Sequence, residues 1–295
     1  MKALYPSTPQ RIAVRQAELG VGFQVGRALP TRERRMVGAW CFLDHLGPVD
    51  IGPDGGGMHV GAHPHTCLQT FTWMINGEVM HRDSLGSEQV IRPGQVNLMT
   101  AGHGISHTED SLPGASRLHG AQLWIALPPE HADIPPAFDH YPDLPTWQEA
   151  GATLTLLAGE LAGRQAPTRL YSPLLGVDLH SASGGRVSVP LNAGFEHGLL
   201  PLEGRLSFED QEIGPQDFLY LEPGRPSLEL ELAAGRRLLL LGGQPFGQPV
   251  TMWWNFVGHS RDAVAAAQAD WEAGSERFGT VPKATERLAA PRIPW

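Results

Sequence analysis

Leu68–Ser84, LQTFTWMINGEVMHRDS, is the stretch that decides the architecture. Two strand-like runs, 69–75 and 78–84, flank Asn76-Gly77. An Asn-Gly pair in that setting predicts a two-residue type I′ hairpin, since both central residues need positive φ. Downstream, Arg92-Pro93-Gly94 marks a turn before 95–100, and Gly102 and Gly104 bracket a bend before 105–109. The run 120–127, GAQLWIAL, reads as a buried strand. Short strands separated by turns at this rhythm belong to β-sandwiches and barrels.

The Pro-rich stretch 128–145, PPEHADIPPAFDHYPDLP, interrupts the rhythm and predicts an ordered connector or a lid. Strand-like runs resume at 152–157, 185–189, 198–208, 217–221, 228–232 and 237–242. Near the end, 260–274 (SRDAVAAAQADWEAG) predicts one helix. Ser260 serves as N-cap, Asp262 lies in the first turn, and Val264, Ala267 and Trp271 share a face. The expected fold is all-β: one barrel over 1–140 and a second over 141–295, ending in that helix.

Ten of the 13 histidines lie in the first 140 residues. His63-Pro64-His65 places two imidazoles on one face of a strand, because side chains two apart point the same way. His107-Thr108-Glu109 does the same for an imidazole and a carboxylate. Two such pairs on neighbouring strands make a site of three histidines and one carboxylate. Nitrogen and carboxylate ligands suit Fe(II), Mn(II), Ni(II), Cu(II) or Zn(II). In the predicted hairpin register His81 pairs with Thr72 and faces away from His63 and His65, so it should not be a ligand unless a bulge shifts the register. By strict alternation Cys67 shares the face of His65 and is read as a small buried hydrophobe. Phe71 and Trp73 share that side and read either as plain barrel core or as walls of a pocket. His103 has a place near it, and His45, His59 and His119 read as structural.

Composition narrows the function classes. The net charge is −9, with no run of Lys or Arg, so nothing supports direct nucleic-acid binding. Two cysteines, Cys41 and Cys67, make no disulfide framework and suit a reducing cytosol. No stretch approaches the roughly 20 apolar residues of a membrane span, and the first 20 residues lack the apolar core of a signal peptide. A cytoplasmic, membrane-free location is the expectation.

Several segments together resemble the pirin family of the cupin superfamily. They are Phe42-Leu43-Asp44-His45-Leu46-Gly47-Pro48, His63-Pro64-His65, Gly77-Glu78 through His81-Arg82-Asp83-Ser84, and Ile91-Arg92-Pro93-Gly94. Met99-Thr100-Ala101-Gly102, His107-x-Glu109, His119-Gly120-x-Gln122-Leu123-Trp124, Gly242-Gly243-Gln244-Pro245 and Trp254-Asn255-Phe256-Val257 extend the likeness over nearly the whole chain. The resemblance implies a bicupin whose first barrel alone holds one divalent metal, iron before the others, through His63, His65, His107 and Glu109. It implies one of two roles. One is a quercetin 2,3-dioxygenase, opening a flavonol with O₂ while Glu109 takes the substrate proton. The other is a non-catalytic, iron-dependent redox sensor that binds a protein partner. The chain departs from the family at Gln69, where an acid is usual, at Thr66-Cys67 in place of Arg-Gly, and at His103 in place of Arg.

Overall fold

The computed structural model describes residues 8–295 except 21, 52–56, 113, 115 and 210. Strands dominate, and one α-helix, Arg261–Glu272, occurs among the described residues. No helix of the described residues is long and apolar enough to cross a membrane. Chain contacts divide the protein into two compact units. One comprises 1–16, 26–45 and 143–246, the other 17–25, 46–142 and 247–295. The break at 142/143 lies beside the expected division at 140/141, but both ends of the chain are exchanged. The N-terminal strand Gln10–Ala13 pairs with Asp217–Leu221, and the C-terminal helix lies in the unit that holds His63.

The unit without the histidine motifs is a pair of facing sheets. A seven-stranded sheet runs in the order Gln10–Ala13, Asp217–Leu221, Glu196–Glu203, Arg236–Gly243, Leu174–Ser181, Ala152–Ala158, Thr146–Glu149. A four-stranded sheet has the order Gly185–Pro190, Ser227–Leu232, Leu206–Phe208, Gln211–Ile213. Alternation explains the core: Val187 and Val189 are buried while Arg186 and Ser188 are exposed. These residues, with Leu228, Leu230, Leu199, Leu219 and Leu240, form one leucine-rich interior. Trp40 is wholly buried here, its indole N–H shared between the carbonyls of Leu175 (3.2 Å) and Gly242 (3.1 Å). Trp40→Ala empties a large buried space and removes the indole donor from both carbonyls. The expected loss is about 3–5 kcal/mol, read as a lower urea midpoint at unchanged m-value.

In the other unit a four-stranded sheet has the order His59–His65, Ile105–Ser111, Val79–Asp83, Glu88–Ile91. A second sheet carries Ala137–Tyr141, Val96–Thr100, Leu68–Asn76 and Arg117–Ala126 as successive neighbours. The predicted Asn76-Gly77 hairpin is not there. Leu68–Asn76 is hydrogen-bonded on one side to Val96–Thr100 and on the other to Arg117–Ala126, so it has no free edge for Val79–Asp83. The chain instead crosses to the other sheet, where Val79–Asp83 pairs with Ile105–Ser111 and Glu88–Ile91. Gly77 makes that corner at φ +84°, where a Cβ would sit 2.6 Å from the Arg117 carbonyl oxygen. The Pro-rich stretch supplies the edge strand Ala137–Tyr141. The C-terminal helix forms as predicted: the Ser260 hydroxyl caps Ala263 N–H, and Val264, Ala267 and Trp271 pack with Phe256 and Phe278.

Candidate metal centre

The two histidine motifs lie on adjacent antiparallel strands. His63 is the cross-strand partner of His107, and His65 that of Ile105. Because His63, His65 and His107 point to one face, their rings gather in the interior. Ring centroids are 4.3 Å apart for His63 and His107, 5.0 Å for His65 and His107, and 5.0 Å for His63 and His65. All three are buried, and their ligand nitrogens lie within 4.8 Å of one another.

Glu109 is not in that group. The register slips between His107 and Glu109, where a bulge puts Glu109 opposite Val60. The extra residue belongs to His59–His65, and Ile105–Ser111 stays in unbroken register with Val79–Asp83, so His107 and Glu109 keep one face of their strand. Glu109 is nevertheless buried and hydrogen-bonded to the Thr72 side chain. Burial pushes its pKa up to about 7, with the Asp110 charge adding and the Thr72 bond opposing.

Hydrogen-bond partners fix which ring nitrogens of the triad carry hydrogen. His63 Nδ1 lies 2.8 Å from the Gly61 carbonyl oxygen, and His65 Nδ1 lies 3.1 Å from that of Asn255. A carbonyl only accepts, so both Nδ1 atoms donate and both Nε2 atoms present lone pairs. His107 Nδ1 sits 3.3 Å from His81 Nδ1, and His81 Nε2 sits 3.0 Å from Asp83 Oδ2. The Asp83 carboxylate also accepts the Leu85 and Ser87 N–H groups. Burial works against its charge, but the His81 and Ser87 bonds hold its pKa below the ordinary value.

His65 Nε2 and His107 Nε2 are 3.1 Å apart. Two facing lone pairs at that distance repel unless a cation or a proton stands between them. Burial is the first reason that the pKa of each ring lies well below 6.5, and neighbouring histidines push it lower still, so a proton is a poor occupant. A divalent metal fits. Nitrogens about 2.1 Å from one ion lie roughly 3.0–3.4 Å apart between right-angled and tetrahedral arrangements. By the chemistry of its donor set and by this contact, the triad is a group that could hold a metal ion.

Other predicted residues take simpler places. Cys67 is buried, at φ +55°, and burial raises its thiol pKa to about 12, so it offers no thiolate. Phe71 and Trp73 are buried in their strand, while the ring against His65 is Trp124, edge-on at 5.0 Å. His103 is exposed, its carbonyl accepting from Arg277 Nε at 2.7 Å. Gln69 is buried and donates to the Thr100 hydroxyl at 3.0 Å. His81 is the correction. It lies beside His107 at 5.1 Å between ring centroids, because the corner at Gly77 cancels the hairpin register that turned it away. The signal that could have found it is His81-Arg82-Asp83, with the same two-residue spacing as the other motifs.

Residues 22–125 match the Pirin family model, and 176–279 match that of the Pirin C-terminal cupin domain. A Pseudomonas aeruginosa protein designated "Putative quercetin 2,3-dioxygenase PA1205" is 60% identical over 287 residues, covering 97% of this chain and 91% of its own length. A pirin-like protein of Caulobacter vibrioides is 38% identical over 267 residues, covering 88% of this chain and 91% of its own. A crystal structure of quercetin 2,3-dioxygenase from Acinetobacter baumannii superposes with a TM-score of 0.95 at 47% identity, covering 97% of this chain and 96% of that one. With both halves matched and a buried histidine triad in the first, the chain belongs to the pirin family.

Proposed function

We propose that this pirin is a metal-dependent dioxygenase that opens a flavonol such as quercetin with O₂. His63, His65 and His107 hold one divalent metal, Fe(II) by preference, and Glu109 completes the set. The observation that carries the metal is the convergence of three Nε2 lone pairs with no hydrogen of their own to share. The flavonol follows from the relatives that bear the dioxygenase name. Bound there, the metal would supply Lewis-acid stabilisation to an enolate oxygen.

The chain supplies the rest. Glu109, buried beside the triad's strand, takes the proton of the substrate's 3-hydroxyl on a carboxylate oxygen. Trp124, edge-on to His65, and Phe138, stacked on His81, set aromatic rings beside the cluster. The test is anaerobic loading with Fe(II), followed by O₂ uptake and loss of flavonol absorbance with quercetin. Turnover that vanishes in His63→Ala and falls at least about a hundredfold in Glu109→Gln supports the assignment. Stoichiometric metal with no turnover overturns the enzyme reading and leaves the iron-dependent regulator. A Glu109→Gln protein of normal rate removes the base.

A further inference from the structure

We propose that Asp83 and His81 form a positioning relay that holds His107 in the one tautomer able to ligate a metal. It rests on the reading of the triad as a metal site.

The relay is built into the strand Val79–Asp83. Alternate residues Val79, His81 and Asp83 are buried, so the two polar ones face inward beside the strand Ile105–Ser111. In that pairing Asp83 stands opposite His107, and His81 opposite Glu109. Asp83 Oδ1 accepts two backbone N–H groups, from Leu85 (2.9 Å) and Ser87 (3.0 Å), which clamps the carboxylate. Its Oδ2 faces His81 Nε2 at 3.0 Å, and a carboxylate can only accept there, so His81 donates from Nε2. A His81 ring whose one hydrogen is on Nε2 has a lone pair on Nδ1, 3.3 Å from His107 Nδ1. His107 must donate to it, which frees His107 Nε2. Phe138 stacks on the His81 ring at 4.4 Å with planes 15° apart and fixes the plane through which the relay passes.

His63 and His65 need no such device, since each gives its Nδ1 hydrogen to a backbone carbonyl, which never changes role. His107 is the ligand whose partner can act as either donor or acceptor. Its tautomer therefore depends on what stands behind His81. Outer partners of this kind commonly change metal affinity 10–100-fold.

Asp83→Asn separates the relay from the packing. Asn can keep its oxygen toward Leu85 and Ser87 while turning an NH₂ toward His81. His81 Nε2 must then accept, Nδ1 carries the hydrogen, and His107 receives it on Nδ1 with its own Nε2–H facing the metal. His81→Gln can still accept from His107, whereas His81→Leu cannot. Affinity for Co(II) or Zn(II), by chelator competition on the full chain, is expected to fall about 10–100-fold in Asp83→Asn and His81→Leu. His81→Gln should stay within about threefold of wild type. In the metal-free proteins, ¹⁵N shifts of His107 should show hydrogen on Nδ1 in wild type and on Nε2 in Asp83→Asn. A merely structural role would not move that tautomer. Wild-type affinity in all three variants, or an unchanged tautomer in Asp83→Asn, overturns the relay. If Asp83→Asn does not fold, the Gln and Leu pair decides: equal loss in both overturns it. A wild-type chain that binds neither metal instead sinks the metal reading itself.

Discussion

Replacing His107 by alanine is expected to leave a folded protein that no longer retains metal. His107 is the hub of the cluster: its ring lies 4.3 Å from His63, 5.0 Å from His65 and 5.1 Å from His81. Loss of an outer partner already costs 10–100-fold in affinity, so loss of a ligand should cost more than about a hundredfold. Metal content after desalting should fall from about one ion per chain, the single triad's capacity, to near none. The fold should tolerate the change better than most core truncations. The alanine removes one side of the 3.1 Å contact between His65 and His107 nitrogens, so relief of that repulsion offsets the cavity. The thermal midpoint should therefore be similar in metal-free wild type and variant. Only wild type should rise when metal is added, by the roughly 3 kcal/mol that a ligand at a hundred times its Kd contributes. Full metal retention by His107→Ala would refute the site.

Acid should unfold the metal-free protein unusually early. His45, His63 and His197 have pKa values lowered from 6.5 to about 4, chiefly by burial, and His65 and His107 lie well below 6.5 for the same first reason. The sign follows from linkage. A histidine depressed in the fold binds its proton more readily when unfolded. Its contribution is complete above pH 6.5 and drains away as pH falls toward 4. A shift of about 2.5 units corresponds to roughly 3 kcal/mol per ring, as a ceiling. Glu109 acts in the opposite sense, since its raised pKa lets the fold keep a proton that the unfolded chain gives up above about 4.5. One carboxyl offsets about one imidazole, so a net loss of several kcal/mol is expected between pH 7 and 4.5. Urea midpoints at the two pH values measure it. His197, buried with neither ring nitrogen hydrogen-bonded, provides the control: His197→Leu should flatten the dependence by about one ring's share. A stability that stays level down to pH 4.5 would contradict neutral burial of these rings.

What the sequence makes legible here is whatever depends on neighbours two to four residues apart. Alternation along a strand is enough to align His63 with His65, and a capping serine with an apolar face is enough to define the C-terminal helix. The readings that fail depend on partners far along the chain. Asn76-Gly77 carries a local hairpin preference, but Leu68–Asn76 already has both edges filled, so the local preference loses to the sheet. His81 was misplaced by the same inference. The extra residue in His59–His65, which puts Glu109 opposite Val60, also lies outside any strict period of two. The exchange of chain ends between the two units rests on contacts such as Arg11 with Asp217, which no local pattern announces.

The hydrogen bond from His65 to the Asn255 carbonyl spans 190 positions along the chain. On a ribosome adding about 5–20 residues each second, His65 therefore emerges roughly 10–40 seconds before the group that orients it. During that interval the three histidines belong to an unfinished barrel. Under the proposed metal reading, an ion that needs His65 oriented by this bond is taken up only after residue 255 has joined the fold.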